Sequence, residues 1–128
     1  MKLKLLLMIS ALLLSACDSK DVWMPEPQPW GEFSIHFETR PEAVRQGMNE
    51  FLIIVNREGR RHIPDLLVHI RTNQSKWRQA IPDGALGVYR RALPVGDIHV
   101  DQLHVRLRYH GKEGELTFAL APKVIITQ

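Results

Sequence analysis

LHVRLRYHGKEGELTFAL, residues 103–120, is the stretch of sequence that decides the fold. In its first half apolar side chains alternate with polar ones, and the apolar set is Leu103, Val105, Leu107 and Tyr109. A period of two places successive side chains on opposite faces of a β-strand. Residues 110–114 are rich in glycine and charge, which suits a turn, and the alternation resumes in residues 116–120. The stretch therefore predicts a β-hairpin with one face in the core.

The same alternation predicts further short strands upstream. They fall at residues 33–37, 51–55, 66–70, 77–81 and 86–90. Residues 51–55 are apolar on both faces, which is typical of a central strand, and Pro94 is expected to end the strand that begins at residue 86. One helical turn is indicated at residues 41–46. About seven short strands predict an all-β, immunoglobulin-like antiparallel β-sandwich, to which residues 124–126 would add an edge strand.

The first 17 residues have the organisation of an export signal. Lys2 and Lys4 precede an apolar run, residues 5–14, that is shorter than the roughly 20 residues needed to cross a bilayer. The run ends in Leu14-Ser15-Ala16-Cys17, which resembles the bacterial lipobox. This resemblance implies a signal peptide over residues 1–16, cleaved between Ala16 and Cys17. The competing interpretation is an ordinary signal peptide with an incidental cysteine.

The lipobox resemblance also gives Cys17 a role. In lipoproteins of this class the cysteine sulfur carries diacylglycerol and its amino group an acyl chain such as palmitate, so two or three chains would anchor the protein to a membrane. Asp18 resembles the signal that keeps enterobacterial lipoproteins on the periplasmic face of the inner membrane, with the outer membrane as the alternative. Because Cys17 is the only cysteine, no internal disulfide is expected.

The chain after the leader divides into a tether and one folded domain. Prolines alternate at positions 25, 27 and 29, which favours an extended, semi-rigid tether over residues 17–31. The β-sandwich domain is predicted over residues 32–128, with Trp30 capping its core. Trp23 is assigned with equal weight to the domain or to the headgroup region of a membrane.

The charge of the chain is nearly balanced once the leader is set aside. The full sequence has 17 Lys and Arg against 14 Asp and Glu, with a pI near 9.3. Lys2 and Lys4 belong to the leader, which leaves 15 basic and 14 acidic residues in the predicted mature chain. Nucleic-acid binding usually needs a concentrated basic surface, so no nucleic-acid partner is expected.

A second resemblance rests on two motifs. One comprises Gly47-Met48-Asn49-Glu50, the strand that follows it, Gly59, and the strand from Leu66 to Val68. The other is Gly87-Val88-Tyr89-Arg90-Arg91-Ala92-Leu93, which looks like a G-x-Y-x-x-x-L strand. Over about residues 45–120 they resemble YtkA-like and FixH-like domains. That resemblance implies an immunoglobulin-like sandwich on a membrane-attached or exported protein, and FixH-like members accompany respiratory-oxidase or copper-transport gene sets.

The family resemblance raises a copper hypothesis that the residues weaken. Relatives often carry a Met-Pro pair after the second strand and a tryptophan before the late strand, where this chain has Arg71-Thr72-Asn73-Gln74 and Asp101-Gln102-Leu103. Copper(I) favours Cys or Met ligands, whereas the chain offers six histidines: His36, His62, His69, His99, His104 and His110. Solvent-facing histidines are the favoured interpretation, and no metal site or cofactor is predicted. His69 and His104 are the metal candidates under the alternative, because both face outward on predicted strands.

Arginines recur within the predicted strands. The set is Arg71, Arg90, Arg91, Arg106 and Arg108. If several share one sheet face, they could bind anionic lipid headgroups or an acidic partner, at about 1 kcal/mol per residue near a membrane. The alternative is a solvated face on which arginines pair across strands with Glu and Asp.

These features favour binding over catalysis. The sequence contains no nucleophile elbow and no phosphate-binding glycine loop, and its one thiol belongs to the predicted anchor. We therefore expect a non-enzymatic, membrane-tethered periplasmic lipoprotein that contacts another envelope protein. The arginines and the exposed side of residues 51–55 are the expected contact surfaces. The alternative function is a metallochaperone-like accessory in copper handling or respiratory oxidase assembly.

Overall fold

The computed structural model describes residues 22–59, 63–84 and 87–124, and this part of the chain is an antiparallel β-sandwich. Its strands are β1 (Gln28–Trp30), β2 (Phe33–Arg40), β3 (Gly47–Arg57), β4 (Leu67–Thr72), β5 (Arg78–Gln79), β6 (Ile81–Pro82), β7 (Val88–Val95), β8 (Gln102–Tyr109) and β9 (Lys112–Ala119). The first sheet has the order β1-β2-β3-β7-β6 and the second has the order β5-β4-β8-β9. The predicted all-β sandwich is confirmed, with nine strands in the described residues rather than about seven.

The core lies between the inner faces of the two sheets. Residues 103–120 contribute as their alternation predicts: β8 and β9 pair from Gln102↔Ala119 to Tyr109↔Lys112. The fully buried side chains of this hairpin are Leu103, Val105, Leu107 and Phe118. Facing them from the first sheet are buried residues of β2 and β3, including Ile35, Phe37 and Ile53. Phe37 and Phe118 meet edge to face with ring centroids 5.5 Å apart, which joins the two sheets at the centre of the core.

One of the two additional strands comes from the predicted tether. β1 pairs antiparallel with β2, from Gln28↔Ile35 to Trp30↔Phe33, so the folded domain begins before residue 32. Gln28 also reaches the second sheet, where its Nε2 donates to the Thr117 carbonyl oxygen at 2.7 Å. Trp30 packs against the core, as predicted, and stacks on Phe33 at 5.9 Å. β1 thus closes the sandwich along the edge formed by β2 and β9.

The other additional strand arises because residues 77–81 do not form a single strand. The chain leaves the second sheet after Gln79 and enters the first sheet at Ile81. Ala80 lies buried at the crossing, and its amide donates to the Val68 carbonyl oxygen at 2.8 Å. A small side chain is needed at this point because the chain passes through the edge of the core.

Two further local predictions are wrong. Residues 41–46 contain no helical turn: Ala43 has a left-handed φ of 65°, and Asn49 holds the loop by accepting from the Arg45 amide and donating to the Arg45 carbonyl oxygen. Pro94 does not end its strand, because β7 continues to Val95. Pro94 lies beyond the part of β7 that β6 covers, so its missing N–H breaks no ladder bond, and its carbonyl oxygen accepts from Thr72 Oγ1 at 2.5 Å.

The strand ends of both sheets define two ends of the sandwich. We call the end where β2 and β9 finish and β3 and β8 begin the entry end, because Val22 borders a hollow there with Arg40 and Glu42. At this end the Asp101 carboxylate accepts from the amides of Asn73 and Gly96, each at 2.8 Å, and so joins loops that follow β4 and β7. The opposite end is the far end.

Several predictions concern residues outside the described ranges. The signal peptide, its cleavage site and Cys17 lie there, as do His62 and residues 125 and 126 of the predicted edge strand. Within the described ranges no helix has the length and hydrophobicity that a membrane span requires.

Candidate functional site: an arginine–tryptophan face on the second sheet

The five candidate arginines divide among three faces of the sandwich. Arg71 on β4 and both Arg106 and Arg108 on β8 alternate with buried residues and point outward from the second sheet. Arg90 points outward from the first sheet, where it lies opposite Leu52. Arg91 is the next residue of β7, so it shares the inward register with Phe51. The structure therefore brings three of the five together and separates the other two from them.

Trp77 contacts two of the three clustered arginines. The guanidinium carbon of Arg106 is 4.1 Å from the centroid of the Trp77 ring, and that of Arg71 is 5.1 Å from it. The His104 ring meets Trp77 edge-on, with centroids 6.5 Å apart. Trp77 is half-buried, in the segment that leads into β5. We call the surface formed by Arg71, Trp77, His104, Arg106 and Arg108 the arginine–tryptophan face.

Acidic residues of β9 neutralise only part of this face. Glu113 lies 3.3 Å from Arg108 and 3.8 Å from Arg106, and Glu115 lies 3.6 Å from Arg106. This is the cross-strand pairing that the alternative interpretation of the arginines predicted. Arg71 differs: among the described residues no carboxylate lies within ion-pair distance of it, and its hydrogen bond is to the Thr72 carbonyl oxygen at 3.3 Å. Arg71 is therefore the cation of this face that an acidic partner can reach.

His104 makes hydrogen bonds through both ring nitrogens on this face, and its surroundings favour the neutral ring. Asn73 Oδ1 lies 2.7 Å from Nε2, which assigns the ring proton to Nε2, and the Thr117 hydroxyl then donates to Nδ1 at 3.2 Å. Burial lowers the pKa of His104, and the positive charge of Arg71 lowers it further, against smaller opposing effects of Glu115 and Asp101. Both ring nitrogens are occupied by these hydrogen bonds.

His69, the other metal candidate, is also on the outer side of the second sheet. It lies opposite Gln79 on one side and Arg106 on the other, and it lines a hollow of about 160 Å³ with Leu67 and Glu113. No cluster of three or more His, Cys, Asp or Glu residues suited to a metal occurs within residues 22–59, 63–84 and 87–124. The copper hypothesis stays a prediction, without a ligand set in those ranges.

The outer face of the first sheet is less open than its sequence suggests. Leu52 points outward from β3 but is only 5% exposed, because it lies between Glu38 and Arg90 on the neighbouring strands. Arg90 is 3.7 Å from both Glu50 and Asp83, so its charge is met on two sides. The expected contact surface along residues 51–55 is thus partly closed by a layer of charged side chains.

A concavity of about 590 Å³ lies at the far end. Aromatic rings of Trp30, Phe33 and Tyr109 form one side of it, and Glu32 and Lys112 are on its rim. Two of its lining residues are held by Arg57, which donates to the Tyr109 hydroxyl at 3.1 Å and pairs with Glu32 at 3.5 Å. These contacts join β3 to β8 through one terminal nitrogen of Arg57, while its buried Nε has no hydrogen-bond partner among the described residues.

Little in the local sequence pattern marks Trp77 as the centre of a site. The alternation of Trp77, Gln79 and Ile81 predicts one short strand, whereas this segment is divided between the two sheets. The spacing of Trp77 from Arg106 along the chain carries no signal of contact. The one available hint was composition, because tryptophan and arginine are the residue types most enriched at binding hot spots.

Comparison of the chain with protein-family models, with curated proteins and with solved structures found no match.

Proposed function

We propose that this protein is a non-enzymatic, lipid-anchored periplasmic module that binds another envelope protein through the arginine–tryptophan face. Cys17 would carry the lipid, and the folded domain would present the face to its partner. The observation that carries the proposal is the contact of the Trp77 ring with the guanidinium groups of both Arg71 and Arg106 on an outer sheet surface.

The residue types on this face suit protein binding. Tryptophan and arginine supply large contact areas and dominate measured binding energies at interfaces. Contact with the indole also orders the arginine side chains before a partner binds. The guanidinium carbons of Arg106 and Arg71 lie 4.1 Å and 5.1 Å from the centroid of the Trp77 ring. Ordering an unrestrained long side chain costs roughly 0.5–1.5 kcal/mol on binding, so a preordered one binds more tightly.

The charge of the face indicates the chemistry of the partner. Arg108 and Arg106 are paired with Glu113 and Glu115, while Arg71 is left with a backbone carbonyl oxygen. A carboxylate on the partner can pair with Arg71 while an apolar side chain covers the exposed part of Trp77. We expect the partner to offer a short segment that combines an acidic with an apolar or aromatic residue.

Photo-crosslinking in cells tests the proposal with two positions on opposite faces. A photoreactive amino acid replaces Gln79, which points outward beside His69, or Ser34, which points outward from the first sheet. We expect a discrete crosslinked envelope protein from position 79 and none from position 34. Equal products from both positions would contradict a specific face.

Substitutions on the face identify which residues carry the binding. Trp77→Ala and Arg71→Glu should each reduce the crosslinked product from position 79 by about tenfold, the effect of losing a hot-spot residue. Arg90→Glu is the matched control, because it also replaces a half-exposed strand arginine but on the other sheet. A product that survives Trp77→Ala, in a variant that melts at the parent temperature, would overturn the proposal.

The anchor is tested separately by metabolic labelling with radioactive palmitate. We expect the label on the full-length protein and its loss in Cys17→Ser, with the variant shifting out of the membrane-bound mature form. Label that is unaffected by Cys17→Ser would refute the anchor while leaving the binding face to its own test.

A further inference from the structure

Large hydrophobic side chains are exposed mainly at one end of the sandwich. Seven are exposed in the described part of the chain, and five of them belong to segments of the entry end: Val22, Trp23, Met48, Val100 and Val124. The remaining two are Leu67, at the start of β4 near the far end, and Ile81 on β6. Single exposed hydrophobic residues are ordinary, but their concentration in segments of one end marks that end as a candidate interaction site.

The strand ends show where several of these residues lie. Val100 lies in the loop between β7 and β8, which Asp101 holds against the end of β4. Met48 is the second residue of β3 and lies opposite Pro94, and Val124 follows β9, whose last residue pairs with the first of β8. Val22 borders the Arg40 end of β2. Val22, Met48 and Val100 therefore lie at the end at which the chain enters the domain, and Trp23 follows Val22 directly in the sequence.

The length of chain before Val22 fixes how far this end can lie from a lipid on Cys17. Five residue steps separate the two positions, which span at most about 18 Å when fully extended. No additional reach comes from the prolines, because Met24 already packs against the core and β1 is part of the first sheet. The expected tether is thus largely built into the domain, and an anchored Cys17 keeps the entry end beside the bilayer.

The exposed groups at this end suit a membrane interface. Trp23 is 42% exposed, and tryptophan favours the headgroup region of a bilayer. Val100 is 72% exposed at the tip of its loop. The exposed charges are mixed: Arg40, Arg45, Lys76 and Lys123 are offset in part by Glu42 and Asp97. Contact would therefore depend on apolar side chains more than on anionic lipids.

We infer that the entry end of the sandwich rests on the bilayer surface, with Trp23 and Val100 at headgroup level. This inference deepens the proposed function and rests on its lipid anchor. The strands then extend away from the membrane surface instead of lying along it. The arginine–tryptophan face is on the side of the domain and is not covered by the bilayer. Arg71 is the second-to-last residue of β4, which finishes at this end. A partner bound to Arg71 would therefore lie close to the membrane surface.

Site-directed spin labelling of the full-length protein purified with its lipid tests this orientation. The protein is reconstituted into phosphatidylcholine vesicles, and a nitroxide is attached to Val100→Cys or to Leu67→Cys as the matched control. Both positions are exposed, so neither change removes core packing. Accessibility of the label to oxygen is compared with its accessibility to a water-soluble nickel chelate.

We expect the ratio of oxygen to nickel accessibility to be several-fold higher at position 100 than at position 67, and unchanged in high salt. Equal ratios at the two positions would overturn the inference. Because Cys17 is the only native cysteine, failure of the anchor gives a different result. If Cys17 carried no lipid, the unsubstituted chain would itself react with the nitroxide reagent and would not float with the vesicles. If only the orientation is wrong, the unsubstituted chain still floats with the vesicles and still does not react.

Discussion

Asp101 shows how one buried carboxylate can hold three segments of a sandwich together. Its oxygens accept from the amides of Asn73, Gly96 and Gln102 at 2.7–2.8 Å, and the residue is almost fully buried. Asn73 follows β4, Gly96 follows β7 and Gln102 is the first residue of β8. Backbone donors buried without an acceptor cost about 1–3 kcal/mol each, so the carboxylate fixes loops that the strands alone leave free.

We predict that Asp101→Ala lowers the free energy of unfolding by about 3 kcal/mol, because three amides lose their acceptor. Asp101→Asn should cost about half as much, since one of its two oxygens remains an acceptor. Urea denaturation measures both. Asp97→Ala is the control, because Asp97 is exposed and its carboxylate accepts from the His99 amide alone. If Asp101→Ala lowers the free energy of unfolding no more than Asp97→Ala does, the Asp101 carboxylate does not hold the three segments together.

His104 and Arg71 are coupled through charge on the same face. The pKa of His104 is lowered by burial and by Arg71, so it titrates below the ordinary value of 6.5. We predict that Arg71→Ala raises the pKa of His104, measured by NMR titration of its ring. Arg90→Ala on the other sheet should leave it unchanged. A His104 pKa that is unchanged by Arg71→Ala would contradict the proximity of these two side chains.

The same shift makes stability depend on pH. The unfolded chain binds a proton at His104 near pH 6.5, whereas the folded chain resists it, so the unfolded state gains protons first as the pH falls. The contribution of His104 to stability is therefore complete above pH 6.5 and is lost as the pH falls toward the folded pKa. His104→Gln should weaken the decline in melting temperature across that window.

At the scale of the elements, β1 closes one edge of the sandwich through a tight contact. Trp30 lies over Gly114 of β9, and a methyl group at position 114 would meet the Trp30 Nε1 and Cδ1 atoms. Glycine is thus required at position 114, because the Trp30 indole occupies the space that a side chain would need. Together with the Gln28 bond to Thr117, this contact joins a strand of the first sheet to the edge of the second.

We predict that Gly114→Ala destabilises the protein by roughly 1–3 kcal/mol, the usual cost of overpacking. In a Trp30→Ala background the same change should cost much less, because the indole no longer fills the space. A double-mutant cycle from thermal or urea unfolding gives the coupling energy, expected to exceed about 1 kcal/mol. Additive effects would show that the two residues do not contact each other.

At the scale of the whole molecule, protection from exchange should follow the positions of the strands in the sheets. β3 lies between the long strands β2 and β7, and β8 lies between the long strands β4 and β9. By contrast, β2, β4 and β7 each have one neighbour of only two or three residues. We predict that the amides of β3 and β8 exchange slowest in hydrogen–deuterium exchange, and that β5 and β6 at the sheet edges exchange fastest. Protection of β5 equal to that of β8 would contradict the observed strand order.

The two proposed surfaces are compatible because they lie at right angles on the molecule. The arginine–tryptophan face is on the side of the second sheet, while the exposed hydrophobic residues are at the entry end. A domain held at that end leaves its side free for a neighbouring envelope protein. Binding and anchoring can therefore occur at the same time.

Much of the architecture could be predicted because it follows from local periodicity. The alternation of residues 103–120 determined which side chains enter the core, and the period of two needs no knowledge of distant residues. The same argument located β2, β3, β4 and β7, though not the continuation of β7 through Pro94. The outward positions of Arg71, Arg106 and Arg108 also followed from this alternation.

The tertiary structure decided which of these positions meet. Arg71, Trp77 and Arg106 come together because β4 pairs with β8, and Arg90 is excluded because β7 joins the other sheet. The crossing at Ala80 and the clamp at Asp101 likewise depend on strands distant in sequence. Local alternation determines the face on which a side chain lies, whereas sheet membership and register depend on long-range backbone pairing and core packing.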